Sequence, residues 1–356
     1  MIDGDAVVFC AGAFLTTFGK TAHGLVRFTQ RYRVRAVIDP DCAGEDAGTV
    51  LDGRPSGIPI VADLSQAFHA ARSAGSPRPR YFVIGIAPDG GVVTPVMRAA
   101  VREAMEEGLS IDSGLHEFFS DDTELSRLAA QRGLTIRDVR KTPARPQLHS
   151  FTGRIETVDA VRIAVLGTDS AIGKRTTAWI LTHALQAEGF ATQMIGTGQT
   201  AWMQGARYGI IMDSLINDFV AGEIEHAVVS AWEDEHPRVL VLEGQGSLMN
   251  PAYPGGFELL AAGRPHAIIL QHAPGRLEYD GFPGYPIQPL PVQIQAIELI
   301  SGRPVVAVTV NHEGLDREAT DAACRAITEQ TGLPACDPIR HGVGAVIEML
   351  HERYLR

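Results

Sequence analysis

Cysteine is scarce in this chain of 356 residues: Cys10, Cys42, Cys324 and Cys336 are scattered and form no C-x-x-C pair. That excludes a cysteine zinc site and argues against a disulfide framework, so each thiol is expected to be a small buried hydrophobe in a reducing cytoplasm. Runs of Lys and Arg are missing as well. With a formal net charge of −11, the chain lacks the basic clusters from which a nucleic-acid binder draws its affinity, and no nucleic-acid partner is expected. An anionic ligand must then sit in a local positive pocket of a negative protein. Long apolar runs are also absent: nothing approaches the ~20 residues that span a bilayer. The acidic start MIDGDAVVFCAGAF has no basic segment of the secretory kind. The expectation is a cytoplasmic protein with no membrane partner.

The remaining composition, 45% hydrophobic and 21% charged, is that of an ordinary globular protein long enough for two domains. In the first part, short apolar runs at 6–9, 34–38, 58–61 and 81–86 alternate with helical patterns at 22–32, 64–73 and 93–107. This order predicts an α/β fold with a doubly wound, Rossmann-like sheet. Asp39 ends the second run, where a dinucleotide fold places its ribose-binding acid. The first turn, CAGAFLTTFGKTAHG, lacks G-x-G-x-x-G, so NAD is not the expected ligand. The stretch KTPARPQL at 141–148 reads as a linker and divides the chain into an N-terminal domain, 1–148, and a C-terminal domain, 149–356. In the second domain strands are predicted at 162–166, 192–196, 238–243, 267–271 and 305–310. Helices are predicted at 174–188, 217–232, 292–300, 317–331 and 343–354, so a mostly parallel sheet flanked by helices is expected.

The most informative segment is Gly167–Thr177, GTDSAIGKRTT, between an apolar strand and a helix. Strand, glycine-bounded loop and Lys-led helix make a phosphate-binding P-loop: backbone N–H groups wrap an anion, the helix N-terminus adds partial positive charge and Lys174 adds a full one. The expected ligand contacts are Gly167, Thr168, Ser170, Ala171, Ile172, Gly173, Lys174, Arg175, Thr176 and Thr177. Two irregularities stand out. Five residues separate the glycines instead of four, and Arg175 stands where a Mg²⁺-binding Ser or Thr normally follows the Lys.

Other strand ends carry further candidates. VLVLEGQGSL puts Glu243 at the end of a buried run, in the place of the second P-loop acid, and Gly244 and Gly246 allow close backbone approach. GTGQT offers Gly198, Gln199 and Thr200 as a substrate-binding loop or a plain turn. In QHAPGR, His272 is a proton acceptor or a satisfied surface histidine. Arg276 and Arg207 are candidates for gripping a carboxylate. Asn311 ends VAVTVN, where it reads a purine edge or caps a turn. Asp169 is an acid, base or orienter beside the transferred group, or a turn residue. The Gly-, Pro- and Tyr-rich stretch 276–291 reads as a surface loop near the site. No metal ligand set is visible.

The G-T-D spacing, EGQGS and the strand-end Asn311 resemble the dethiobiotin-synthetase and cobyric-acid-synthase branch of P-loop proteins. Taken in order, CAGAFLTTFGKTAHGLVRF, AVIDPDCAGEDAG, FVIGIAPDGG, SGLHEFFSDD, DVRKTP, GTDSAIGKRTTA, TGQT, DFVAGEIE, LEGQGSL and HAPGR resemble the D-glutamate N-acetyltransferase (DgcN-type) family across nearly the whole chain. The resemblance implies a Rossmann-like domain, a P-loop domain and an acyltransferase that moves acetyl from acetyl-CoA to the amine of D-glutamate or a similar acidic D-amino acid. It also implies a dehydrogenase or racemase-type enzyme as pathway partner, and a homo-oligomer is the expected assembly.

On that reading the P-loop holds CoA phosphates and Arg175 neutralises phosphate directly. Glu243, Asp169 or His272 accepts the ammonium proton, loop N–H groups stabilise the oxyanion, and Arg207 and Arg276 bind the two carboxylates. No cysteine has a nucleophile setting, so direct transfer is expected. Two other readings stay open: an ATP- and Mg²⁺-dependent carboxylate-activating ligase or kinase of the dethiobiotin type, and a non-catalytic nucleotide-binding regulator.

Overall fold

A strand buried on both faces must be apolar throughout, and the runs picked out above meet that condition in two parallel sheets. The computed structural model describes residues 3–356, which pack as two compact units. The first comprises the chain up to Thr142 together with Gln199–Gly205. Its elements are β1 (Gly4–Phe9), α1 (Lys20–Arg27), β2 (Tyr32–Ile38), α2 (Ala47–Asp52), β3 (Ile60–Val61), α3 (Leu64–Ser73), β4 (Tyr81–Ile84), α4 (Pro95–Glu106), β5 (Ser110–Ser113), α5 (Thr123–Arg132) and β6 (Ile136–Asp138). The all-parallel order β3-β2-β1-β4-β5-β6 is that of a Rossmann sheet.

The crevice at the β1/β4 switch point, where such sheets take a dinucleotide, is closed by the chain itself. Asp39 is fully buried and its two oxygens accept N–H bonds from Phe14 (2.8 Å) and Asp41 (3.0 Å). The Phe14 side chain is buried as well. The helix expected over 22–32 ends at Arg27, because Phe28 turns extended (φ −166°) and Tyr32 already opens β2.

Two strands of this unit carry no apolar run, and a part-buried ionic cluster satisfies their polar side chains. Asp112 in β5 has no exposure and accepts two bonds from Arg137 (2.5 and 2.6 Å) and one from the Tyr32 hydroxyl (2.6 Å). Arg137 also bonds Asp3, at 2.6 Å.

The second unit comprises Pro143–Gly198 and Ala206–Arg356. It holds β7 (Val161–Gly167), α6 (Lys174–Ala187) and β8 (Thr192–Gly196). After α7 (Gln199–Gln204), which packs in the first unit, follow β9 (Tyr208–Gly209), α8 (Asn217–Glu235), β10 (Val239–Glu243), α9 (Phe257–Gly263), β11 (Ala267–His272), α10 (Leu290–Ser301), β12 (Val305–Val310), α11 (Arg317–Thr331), β13 (Ala335–Cys336) and α12 (Gly344–Tyr354). The sheet order is β13-β12-β11-β7-β10-β8-β9, again all parallel. Central β7 is flanked by β10 and β11, so the P-loop, the end of β10 and the end of β11 meet at one carboxyl rim. All four cysteines are free and buried. No helix among the described residues is long and apolar enough to cross a membrane.

Candidate active site

Helix α6 starts after Gly173 (φ +96°) with no side-chain cap, a feature it shares with α1, α8, α9, α10 and α12. The first N–H groups of a helix have no partner within it, so this uncapped start presents donors to an anion. The preceding loop is strained: Ala171 is held at φ +52°, which costs an L-residue roughly 1 kcal/mol or more.

The Lys174 stem passes between two glycines. A Cβ on Gly167 would stand 2.8 Å from Lys174 Cδ, and one on Gly244 would stand 2.4 Å from the Val165 carbonyl oxygen and 3.2 Å from the same Cδ. Lys174 Nζ donates to the Asp169 carbonyl oxygen at 2.6 Å. Burial lowers its pKa to about 8, with Asp169 and Glu243 pulling it upward and Arg276 downward.

Asp169 has no exposed surface and accepts four hydrogen bonds. Oδ1 receives the Ser170 N–H (2.7 Å) and Asn250 Nδ2 (2.8 Å); Oδ2 receives Arg276 Nη1 (2.8 Å) and the Asp280 N–H (2.9 Å). A carboxylate has about four lone-pair sites. Asp169 therefore acts as the knot tying the 244–256 and 276–291 loops to the P-loop, and holds no site open for a substrate proton. Arg276 is correspondingly engaged: besides Asp169 it bonds the Ser170 carbonyl (2.9 Å) and Glu313 (2.5 Å).

Glu243 is buried at the end of β10. Its Oε2 accepts the Thr197 N–H at 2.8 Å, and its carbonyl oxygen accepts the Thr197 hydroxyl at 3.1 Å. Burial pushes its carboxyl above the usual range, and Arg175, the Thr197 hydrogen bonds and Lys174 pull the other way. Glu243 thus combines burial with two neighbouring cations of the loop. His272 differs. Burial lowers its pKa to about 4, and its Nδ1 is paired with the Thr168 hydroxyl at 3.0 Å.

Several expected ligand contacts turn inward. The Thr177 and Thr309 hydroxyls both donate to Gln271 Oε1 at 2.6 Å, and the Thr168 N–H bonds the Gln271 carbonyl at 3.0 Å. Asn311 spends both ends of its amide within the protein, Nδ2 on the Ile172 carbonyl (2.8 Å) and Oδ1 on the Glu313 N–H (2.9 Å), and so braces the P-loop from behind. Gly198 does lie at the rim, where a Cβ would approach Gln245 Nε2 to 2.8 Å.

Three substrate candidates have other partners. Gln199 and Thr200 open α7 and belong to the first unit, where Thr200 shares a hydrogen bond with Thr21 (2.9 Å) and Gln199 fills the space left by the missing side chain of Gly114. Arg207 is exposed and paired with Glu235 (2.5 Å) and Asp234 (3.4 Å) in the last turn of α8. Arg207 directly precedes β9, the edge strand separated from β7 by β10 and β8, and so lies to the side of the loop. Thr197, part of the GTGQT candidate loop, turns to Glu243 instead. Asn250 and Gln271 were not expected from sequence. No motif marks them, since each acts on another side chain and not on the ligand.

Comparison with known proteins follows this geometry. The family described as Domain of unknown function (DUF1611_C) P-loop domain matches residues 149–347, and its companion, Domain of unknown function (DUF1611_N) Rossmann-like domain, matches residues 40–142. A D-glutamate N-acetyltransferase of Tritonibacter scottomollicae is 32% identical over 286 residues, 79% of this chain and 83% of that protein. A second, from a Pseudoalteromonas species, is 29% identical over 276 residues, 76% of this chain and 80% of its own length. The crystal structure of a DUF1611 family protein from Anabaena variabilis superposes with a TM-score of 0.88 at 30% identity, covering 98% of this chain and 99% of that one. The chain thus belongs to the DUF1611 family of Rossmann-like and P-loop proteins, with the D-glutamate N-acetyltransferases among its relatives.

Proposed function

We propose that this acyltransferase moves acetyl from acetyl-CoA to the amine of D-glutamate, with the P-loop holding the carrier's phosphates. The observation that carries the reading is the pair Lys174–Arg175 at the uncapped start of α6, facing Glu243, with no hydroxyl in the position that would normally bind Mg²⁺. Two cations and free helix amides suit a diphosphate that is gripped and not split.

In the proposed reaction the ammonium of D-glutamate gives a proton to Glu243. The amine nitrogen attacks the thioester carbonyl carbon, the tetrahedral oxyanion collapses, the C–S bond breaks, and the nitrogen's surplus proton passes to solvent. The protonated Glu243 returns its proton to the departing thiolate, yielding N-acetyl-D-glutamate and CoA. General-base help of this kind contributes roughly 10²–10⁴ in rate. The pantetheine arm bends back over the loop to bring the thioester near Glu243. Arg276 exchanges its exposed partner Glu313 for a substrate carboxylate and keeps its bond to Asp169.

The test is thiol release on mixing the purified protein with acetyl-CoA and D-glutamate without added metal. Release that depends on both substrates is expected, with D-glutamate preferred over L-glutamate. Absence of release across a panel of D-amino acids, together with ADP formation from ATP and Mg²⁺, would overturn the proposal in favour of a ligase or kinase.

A further inference from the structure

The phosphate grip leaves the rest of a nucleotide-bearing carrier unaccounted for. In the sequence Asn311 is the natural reader of a purine edge, but both ends of its amide are committed to the Ile172 carbonyl and the Glu313 N–H. Some other surface within reach of the loop has to receive the base.

Two loops converge on the P-loop through one residue. The first runs from Glu243 to α9; Asn250 bonds Asp169 with its Nδ2, while its Oδ1 accepts the Ala252 and Tyr253 N–H groups at 2.9 and 3.0 Å. The second, after β11, closes on itself: the Ile287 N–H meets the Leu277 carbonyl (2.9 Å) and the Tyr279 N–H meets the Tyr285 carbonyl (3.0 Å). Its Asp280 N–H bonds Asp169 as well. Tyr253 on the first loop and Phe282 and Tyr285 on the second form a chain of edge-to-face rings, with centroids 6.3 and 6.5 Å apart. Edge-to-face contact leaves ring faces open, and Tyr253 and Tyr285 are 58% and 55% exposed. Two exposed tyrosine rings and a half-buried phenylalanine between them, held by the backbone of two loops that share one buried carboxylate of the P-loop, are an expensive arrangement unless a flat ring covers them.

We infer that Tyr253, Phe282 and Tyr285 form a stacking platform for the purine ring of the ligand whose phosphates the P-loop holds. This deepens the proposed use of acetyl-CoA and rests on it, since the occupant is the adenine of the carrier. Base–aromatic stacking is tolerant of base identity because every base has a π-face. The platform therefore supplies affinity for a nucleotide-bearing carrier and discriminates against phosphate compounds that have no base.

The experiment measures binding of two probes to the full chain by calorimetry: adenosine 3′,5′-bisphosphate, which carries base and phosphates, and inorganic pyrophosphate, which carries phosphates alone. The double variant Tyr253→Ala/Tyr285→Ala should weaken the nucleotide roughly 5- to 150-fold, the worth of one base–aromatic stack, and leave pyrophosphate unchanged. Tyr253→Phe/Tyr285→Phe, which keeps both rings, should bind the nucleotide like the parent. Lys174→Ala should weaken both probes. Unchanged nucleotide affinity in the double alanine variant, or an equal loss for both probes, would overturn the platform while leaving the phosphate site standing. A parent protein that binds neither probe would overturn the platform and the P-loop reading together.

Discussion

Replacing Asp169 by Asn separates an architectural from a catalytic role for this acid. The side chain has no exposure and accepts bonds from Ser170, Asn250, Arg276 and Asp280 at 2.7–2.9 Å. Asparagine keeps the shape but turns one oxygen into a donor. Two of the four bonds then become donor-to-donor contacts, and the survivors fall from charge-assisted to neutral strength. Hydrogen bonds to a charged group are worth ~1.5–3 kcal/mol each, and stranding one partner of a buried ion pair costs ~3–5 kcal/mol. Arg276 is not wholly stranded, because Glu313 and the Ser170 carbonyl remain to it. The expected loss is therefore about 3–4 kcal/mol, near the lower end of that range. Urea unfolding followed by circular dichroism reads it as a lower midpoint at unchanged slope, and thermal unfolding as a fall of roughly 6–16 °C for a unit of this size. CoA affinity should fall too, as both attached loops come free. A variant within about 0.5 kcal/mol of the parent would refute the knot, and one that kept stability and affinity while losing only turnover would return Asp169 to the chemistry.

Other outcomes follow from the same geometry. Lys174 has a folded pKa of about 8 against an ordinary 10.5, so the unfolded chain holds more protons between those values; that group's contribution makes stability rise with pH across the window. CoA affinity should move the opposite way, falling above about pH 8 as Lys174 discharges, and Lys174→Arg should flatten that fall in a calorimetric titration; a pH-independent parent affinity contradicts it. Burial raises the Glu243 carboxyl and Arg175 is the largest influence opposing the rise, so Arg175→Ala should shift the acid limb of kcat/KM to higher pH while Arg175→Lys preserves it. An unmoved limb would remove Glu243 as the base. Gly222→Ala would ordinarily gain up to ~1 kcal/mol inside a helix. Here its Cβ would lie 2.0 Å from the His149 carbonyl oxygen, so a net loss of ~1–3 kcal/mol is expected, read as a lower urea midpoint; a stabilised variant would contradict it.

Much of the architecture could be read from the chain because parallel strands buried on both faces need continuous apolar runs. All nine strands expected from such runs are present, although β3 is reduced to Ile60–Val61. β5 and β6 escaped notice because SIDS and IRD are polar: Asp112 of β5 is buried against Tyr32 and against Arg137 of β6, partners 80 and 25 positions away. Helices α2, α7 and α9 escaped for a different reason, being only six or seven residues long and too short to show a period, and the ten-residue α5 escaped because it buries only Leu125 and Ala129.

The P-loop was legible because phosphate binding depends on local backbone geometry, and a glycine-bounded loop between a strand and a helix writes that geometry into consecutive residues. The sequence by itself thus determined the two α/β units, the loop, Lys174 and Arg175, and Glu243 at a strand end. Only the tertiary structure decided which polar residues are still open to a ligand. Asp169, Asn311 and Thr177 have the right chemistry at the right strand ends, but their hydrogen bonds go to Asn250, Asp280, Ile172 and Gln271. Arg207 precedes the edge strand β9 and is paired with Glu235, and Gln199 and Thr200 belong with α7 to the first unit. A hydrogen-bond site can be used once, and which partner uses it is settled by contacts between residues tens to more than a hundred positions apart.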